Sequence, residues 1–441
     1  MIGTGYVGLV SGACLADFGN AVRCVDIDET RIALLRSGGI PIYEPGLKEL
    51  VGRNVDSGRL RFTTDIAEGV EGSDVVFIAV GTPARPDGSA DLSYVFNVAE
   101  SISKHLNDYK VIVSKSTVPV GTTREISAFI RAKAPGDAEF DVVANPEFLR
   151  EGSAVEDFMR PNRVVIGAET EKAKDLMKIV YRPLYLIETP ILITDLETAE
   201  LIKHASNAFL ATKISFMNEI AAISELVGAN VDDVSRGMGL DGRIGSKFLH
   251  AGVGFGGSCL PKDISSLIHI AASRGYEPHI VRAIFDLNQK LPGRAVGKLK
   301  EELGILRGKE ICVLGLAFKP NTDDLRDAPS IRIIKDLVEE GAKVRVFDPV
   351  AMDNFKKTVP VDVTFYKNPY EAADRSDAVM LVTEWNEFRQ LDLPKLKQAM
   401  REPVFIDCRN VYKPDRMFDH GFRYRSFGRG AESRRKKERP L

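Results

Sequence analysis

The 441-residue sequence predicts an α/β chain in which two doubly wound domains are joined by a central helical domain with one long helix. Three observations carry this. Short apolar runs separated by helical patterns recur in both terminal thirds, the mark of parallel strands buried on both faces. From about Asp195 to Leu226 there is no helix breaker before Gly228, and Leu196, Ala199, Ile202, Ala205 and Phe209 recur at helical spacing. A strand that runs into an acid at Asp26 is repeated by one that runs into Asp348.

In the first domain, residues 1–192, the strands are Val22–Val25, ending at Asp26; Asp74–Val80, ending in Gly81-Thr82-Pro83; Val111–Ser114, followed by Lys115-Ser116-Thr117-Val118-Pro119; and Asp141–Ala144, ending in Asn145-Pro146-Glu147. Ligands of such sheets bind beyond the carboxyl ends of the strands, where these polar residues lie. Residues 193–290 are helical and hold the long helix, a shape suited to packing against a second subunit. Residues 291–428 return to α/β: strands Lys309–Gly315, Lys343–Asp348, Val379–Val382 and Val404–Asp407, with a helix from Ser330 to Gly341. Residues 429–441 form a basic tail, with Arg429, Arg434–Lys437 and Arg439, expected to be disordered.

Gly3, Gly5 and Gly8 fit the turn that opens a Rossmann-like dinucleotide site, with Tyr6 and Val7 between them. The first glycine permits the turn, the second admits the pyrophosphate and the third lets the helix pack closely. Asp26 stands roughly 20 residues on, where an acid bonds the ribose hydroxyls and prefers NAD over NADP. Only Met1 and Ile2 precede Gly3, whereas a strand commonly has about five or six residues, so a start upstream of Met1 is expected.

With 44% hydrophobic and 28% charged residues and a formal net charge of −2, the composition is that of a soluble globular protein without a global field for nucleic acid or an anionic membrane. No apolar run is long enough to span a membrane, and no export signal opens the chain. Five scattered cysteines argue against a disulfide framework and fit a reducing cytoplasm. Cys14, Cys24, Cys312 and Cys408 lie on helix or strand patterns and read as packing residues. Cys259 differs. It sits in Gly254-Phe-Gly-Gly-Ser-Cys259-Leu-Pro-Lys-Asp263, a glycine-dense loop with Lys262 and Asp263 downstream, which suits a nucleophilic thiolate. On the long helix Glu200, Lys203 and Asn207 share a face, and a cation with an amide can stabilise an oxyanion. No metal ligand set is assigned.

These residues, with Ile42–Gly46, Val80–Pro83, Ser116–Pro119, Asn145–Gly152, Ala205–Phe209 and Phe318–Asp324, resemble the UDP-glucose/GDP-mannose dehydrogenase family from Gly3 to about Tyr412. The helix text Asn207–Glu219 resembles its UDP-glucose 6-dehydrogenases. The resemblance implies a four-electron oxidation of a sugar-nucleotide primary alcohol, here UDP-glucose to UDP-glucuronate, by two NAD+ through a thiohemiacetal and a thioester on Cys259. It implies that Lys203 and Asn207 stabilise the oxyanion, that Asp263 places water and lysine, and that Glu147 is the base of hydrolysis with Thr117 nearby. Asp26, Arg31, Thr82, Thr117, Glu151 and Arg326 would touch NAD beside the glycine turn. Glu147, Phe148, Leu149, Arg150, Glu151, Lys203, Asn207, His250, Gly252, Phe255, Gly256, Lys319 and Arg409 would hold the sugar nucleotide. Arg243 would cross to the substrate of the neighbouring subunit of a homodimer.

Other readings remain at this point. GDP-mannose or an N-acetylated UDP-sugar is an alternative substrate within the family. A two-electron hydroxy-acid or polyol dehydrogenase with a structural Cys259 predicts one NADH per substrate. A binding protein that responds to NAD predicts no turnover.

Overall fold

The structure, a computed structural model, describes residues 1–430; residues 431–441, with Arg434–Lys437 and Arg439 of the expected basic tail, lie outside the described residues. The chain divides into two compact units, Met1–Ser206 with Ser265–Glu277 and Asn207–Ile264 with Pro278–Leu441.

The strands of the first unit are β1 (Val22–Val25), β2 (Leu60–Thr63), β3 (Val75–Ile78), β4 (Lys110–Ser114), β5 (Phe140–Ala144), β6 (Val164–Ala168) and β7 (Ile191–Thr194). β1 pairs with β2, and the others are ordered β3-β4-β5-β6-β7. Met1–Gly3 stitches the two groups together. Ile2 N–H donates to Phe77 O and Ala79 N–H to Ile2 O, while Val25 N–H donates to Met1 O and Gly3 N–H to Val25 O, each at 2.8 Å. Three residues thus hold the central position of a doubly wound sheet. Side chains alternate across it. Val111, Val113, Val143, Val164 and Ile166 join the core on one face, and Ile112, Val142, Ala144 and Val165 the core on the other. Burial on both faces is what makes these strands continuous apolar runs.

One strand departs from the expected parallel sheet: β6 runs antiparallel to β5, and β7 then runs parallel to β6. The 145–163 connection carries a six-residue helix, Ala154–Met159. At about 1.5 Å per residue that helix is too short to carry the chain back along a strand, so β6 re-enters from the same end.

The second unit contains a six-stranded parallel sheet of β8 (Glu310–Leu314), β9 (Lys343–Phe347), β10 (Val363–Phe365), β11 (Ala378–Leu381), β12 (Val404–Asp407) and β13 (Arg423–Arg425). Its order, β10-β9-β8-β11-β12-β13, is the winding of the first sheet. Asp348, the counterpart of Asp26, is fully buried; it accepts from Leu316 N–H at 2.7 Å, Ala317 N–H at 3.1 Å and the Trp385 indole at 3.0 Å. Its carboxylate holds a turn where Asp26 would face a ribose.

The long helix is Leu196–Val227, 32 residues or about 48 Å, and it passes from the first unit into the second. Helical structure extends beyond residue 290, the expected end of the helical domain: the helix His279–Leu303 runs through Pro292, a residue that more often ends a helix. Arg429 also corrects the sequence reading. It was assigned to the tail, yet it is buried, with Nε donating to Asp232 at 2.8 Å, which neutralises its charge, and Nη1 to Tyr412 O at 2.6 Å.

A Cβ at Gly8 would stand 2.0 Å from Gly3 O, so the helix Tyr6–Asp17 can approach the turn only with glycine there. Gly8→Ala is expected to destabilise the protein by about 1–3 kcal/mol, the range of an overpacked core, and to abolish NAD+ binding. Chemical denaturation and calorimetric titration check this; unchanged values would refute the packing role.

Candidate active site

In the first unit, Gly3 has φ +100, a conformation that favours glycine, and a Cβ there would also strike Ala79 O at 2.5 Å. At Gly5 an added Cβ meets nothing within 4 Å. The helix Tyr6–Asp17 has Gly5 as its N-cap and no side-chain cap. Open space in front of uncapped helical N–H groups fits a pyrophosphate. At the end of β1, Asp26 Oδ2 accepts from Thr4 N–H at 2.8 Å, Thr4 Oγ1 at 2.7 Å and Arg31 Nη1 at 3.3 Å. Burial works to raise the Asp26 carboxyl, but the hydrogen bonds from Thr4 and Asp28 and the Arg31 charge outweigh it and hold it below its ordinary value. The acid is therefore anionic and fixed. These groups fit NAD.

Tyr6, expected at the cofactor, donates its hydroxyl to Glu44 and accepts from Gly152 N–H at 3.1 Å. Glu44 is buried and also accepts from Gly152 N–H at 2.7 Å and Ala154 N–H at 2.8 Å, so the Ile42–Gly46 motif anchors the segment that carries Arg150 and Glu151. Val7 lies in the first helical turn. Thr82 Oγ1 donates to Thr117 O at 2.8 Å, which joins the ends of β3 and β4. Thr117, Ser116, Pro146, Glu200 and Lys203 line a small recess.

The centre of this unit is a buried ion pair. Lys203 Nζ stands 2.8 Å from Glu147 Oε1, with side-chain exposures of 3% and 5%. Leu149 N–H donates to Glu147 Oε2 at 2.6 Å. Phe148 stacks beneath the Arg163 guanidinium at 3.4 Å. Arg150 is exposed and held by Asp157 at 2.5 Å, and Glu151 is half-buried. Glu200, one turn before Lys203, accepts from Gly121 N–H at 2.6 Å and from Thr123 N–H at 2.8 Å, which makes it a cap for the helix Thr122–Lys133.

In the second unit Cys259 is half-buried and directly precedes the helix Leu260–Ser273, with Ser258 Oγ at 3.5 Å from its sulfur. The other cysteines are fully buried: burial pushes the Cys14 thiol up to about 12 and the Cys24 thiol up to about 11, and it raises Cys312 and Cys408 as well. Asp263 is 1% exposed and receives Asn207 Nδ2 at 2.6 Å and Lys262 Nζ at 2.7 Å. Asn207, one turn after Lys203 on the long helix, thus holds Asp263.

The His250–Gly256 loop is pinned from several sides. A Cβ would strike Cys408 O from Gly252 at 2.5 Å and Asp327 O from Gly256 at 2.3 Å. Phe255 exchanges both backbone bonds with the Asn288 side chain at 2.9 Å, and Gly252 N–H donates to Asn218 Oδ1 at 2.8 Å. Arg409 spends its guanidinium on Gly254 O at 2.8 Å and Val382 O at 2.9 Å, so it builds the loop. Lys319 lies over the Phe318 ring at 5.3 Å. His250 is exposed. Arg326 is paired with Asp324 at 2.8 Å, and Arg243, 91% exposed, with Asp241 at 2.6 Å.

Sequence reasoning missed several supporting residues. Glu44, Arg163, Asn218 and Asn288 bear on predicted positions, and Lys115 is buried beside Asn145. Among them, Glu44, Lys115 and Asn218 lay inside quoted segments.

Family models match the chain along its length. Residues 1–185 match the NAD binding domain of the UDP-glucose/GDP-mannose dehydrogenase family, 197–290 its central domain and 312–414 its UDP binding domain. The chain is 53% identical, over 97% of its length and 99% of the relative's, to the UDP-glucose 6-dehydrogenase of Rhizobium meliloti (strain 1021). The chain belongs to the UDP-glucose/GDP-mannose dehydrogenase family. A solved UDP-glucose dehydrogenase from Pyrobaculum islandicum is similar at TM-score 0.89 and 42% identity, covering 93% of this chain and 94% of that one. A UDP-D-ManNAc dehydrogenase from Pyrococcus horikoshii is similar at TM-score 0.86 and 28% identity, covering 98% and 99%.

The Glu147–Lys203 pair makes a specific energetic demand. Lys203→Met alone strands a buried carboxylate and is expected to cost about 3–5 kcal/mol, while Lys203→Met with Glu147→Gln should recover much of that loss. A denaturation double-mutant cycle with additive losses would show that the pair is not coupled.

Proposed function

We propose that this chain is an NAD-dependent UDP-glucose 6-dehydrogenase that oxidises UDP-glucose to UDP-glucuronate, with the product released as the free acid. The observation that carries this reading is Cys259 at the head of a helix, in a chain 53% identical to a UDP-glucose 6-dehydrogenase. The drop in identity from 42% for a UDP-glucose dehydrogenase structure to 28% for a UDP-D-ManNAc one favours UDP-glucose over an N-acetylated sugar.

NAD+, when bound, supplies a hydride acceptor in each of two successive oxidations of C6. The chain's residues do the rest. The first oxidation converts the alcohol to an aldehyde and releases a proton. Cys259 sulfur, as the thiolate, adds to the carbonyl carbon; a C–S bond forms and the oxygen takes a proton. Loss of the C6 hydride and the hydroxyl proton gives a thioester. Lys203 and Asn207 stabilise the negative oxygen. Glu147 takes the proton of an attacking water, the C–S bond breaks, and the thiol leaves with the carboxylic acid formed. Asp263, held by Asn207 and Lys262, orients the water. The covalent link retains the reactive aldehyde between the oxidations.

The remaining expected contacts complete the proposal. Gly3, Gly5, Gly8, Asp26, Arg31, Thr82, Thr117, Glu151 and Arg326 serve NAD. Residues 148–151, the 250–256 loop, Lys319 and Arg409 serve the sugar nucleotide. The working division is a cofactor domain 1–192, a dimerisation domain 193–290 and a substrate domain 291–428. The enzyme works as a cytoplasmic homodimer. Phe209, Phe216 and Ile223, spaced seven apart, leave an apolar stripe 64%, 45% and 47% exposed on the long helix, which suits a second copy. Arg243, exposed on the same unit, then reaches the partner's substrate.

Two NADH are expected per UDP-glucose consumed, and Cys259→Ser should fail to reach the free acid. One NADH per sugar, or full turnover without the thiol, would end the covalent route. For the dimer, Phe216→Glu is expected to halve the mass seen by sedimentation; an unchanged mass would remove this stripe from the interface.

A further inference from the structure

Lys115 has no role in the mechanism above, yet its side chain is buried at 3% exposure. Removing an ammonium from water costs several kcal/mol unless a partner offsets it. Among the described residues no carboxylate lies at ion-pair distance from Lys115. Its Nζ instead donates to Asn145 Oδ1 at 3.1 Å, to Asn145 O at 3.4 Å and to Tyr181 OH at 3.4 Å. Burial lowers its pKa to about 8, the Glu147 charge works to raise it and the Lys203 charge to lower it further. An apolar side chain of similar length would fill the same space without this cost.

What the ammonium holds is one turn. Asn145 is the first residue after β5, and Glu147 follows it across Pro146. Every polar group of the Asn145 side chain is engaged. Nδ2 donates to Val165 O at 2.8 Å, and Oδ1 accepts from Tyr181 OH at 2.6 Å as well as from Lys115. Its backbone N–H donates to Ser114 O at 2.9 Å, next to Lys115 in β4. Pro146 fixes its own φ. Glu147 leaves this turn with its carboxylate 2.8 Å from Lys203.

We propose that Lys115 is a positioning residue for the hydrolytic step: by gripping both oxygens of Asn145 it fixes the Asn145–Glu147 turn and so aims the Glu147 carboxylate. This rests on the reading of Glu147 as the base that activates water. A misplacement of about 1 Å in such a group can slow a step on the order of 100-fold. The two oxidations do not depend on that aim, so they stay fast while hydrolysis slows.

The test is stopped-flow NADH formation with UDP-glucose and NAD+, on wild type, Lys115→Met and Tyr181→Phe. Lys115→Met keeps the stem and removes the donor; Tyr181→Phe removes the other donor to Asn145 Oδ1 and keeps the ring. Lys115→Met is expected to lower kcat by about 10- to 100-fold, with KM for UDP-glucose and for NAD+ falling by a similar factor, so that kcat/KM stays within about twofold. It should also develop a burst approaching two NADH per active site, followed by slow turnover. Tyr181→Phe should show the same burst with a smaller fall in kcat. A purely structural role would lower the melting temperature without moving the slow step to hydrolysis. If Lys115→Met does not fold, Tyr181→Phe decides: a wild-type trace overturns the proposal. Wild-type traces in both variants, from an enzyme that makes two NADH per sugar, overturn it while the proposed function stands. A wild type that makes one NADH per sugar removes that function and this role together.

Discussion

A carboxylate buried as deeply as Glu147 has to be neutralised where it stands, and Lys203 does so at 2.8 Å. Much of the first unit follows from that constraint. Lys203 must come from a rigid element, and it comes from a 32-residue helix seated by Leu196 and Ala199 in the core beneath the sheet. Glu147 must come from a fixed turn, and the turn follows a strand buried on both faces. Glu200, one turn away, holds the head of another helix through Gly121 and Thr123. The stripe of the long helix that the sequence marks as polar is therefore not a solvated face. Glu200 is matched to backbone N–H groups, Lys203 to an opposite charge and Asn207 to a carboxylate, which is the condition under which buried polar residues are tolerated.

The second unit meets the same condition with other means. Asp263 is as inaccessible as Glu147 and is matched by an amide and an ammonium, Asn207 and Lys262. The glycine-dense loop before it is rigid because backbone groups crowd it: Asn288, Asn218 and Arg409 each bond its main chain, and side chains at Gly252 or Gly256 would collide with carbonyls. Glycine here allows close approach more than it confers freedom. A thiol carried by such a loop has a defined position, which nucleophilic chemistry requires.

Much of the architecture is legible in the sequence for a physical reason. Strands buried on both faces must be apolar at consecutive positions, so β3, β4, β5, β8, β11 and β12 stand out. β2 and β7 do not, since they are partly exposed, with Arg61 and Leu192 facing solvent. Reversal of β6 was invisible because direction depends on the length of the connecting helix and leaves no mark on the strand itself. The helix through Pro292 and the burial of Arg429 were likewise set by tertiary partners. The partners of the candidate site residues were not legible. Asn207, expected as an oxyanion donor, also holds Asp263; Arg409, expected at the sugar nucleotide, also holds Gly254 O. Those pairings join positions 56 and 155 residues apart, beyond what local spacing encodes.

The five cysteines show how position, more than residue type, decides chemistry. Four are enclosed by apolar atoms, and burial raises each thiol, so at neutral pH they remain protonated and poor nucleophiles. Cys24 lies between Arg23 and Val25 and Cys312 between Ile311 and Val313, each at a fully buried strand position where a thiol serves as a small apolar side chain. Cys259 alone among them is half-exposed, at the junction of a glycine loop and a helix. The charges next to it in sequence are already matched: Lys262 pairs with Asp263, and Asp263 also accepts from Asn207. One short segment thus combines the most accessible of the five thiols with a matched pair of charges, while the same fold buries the other four.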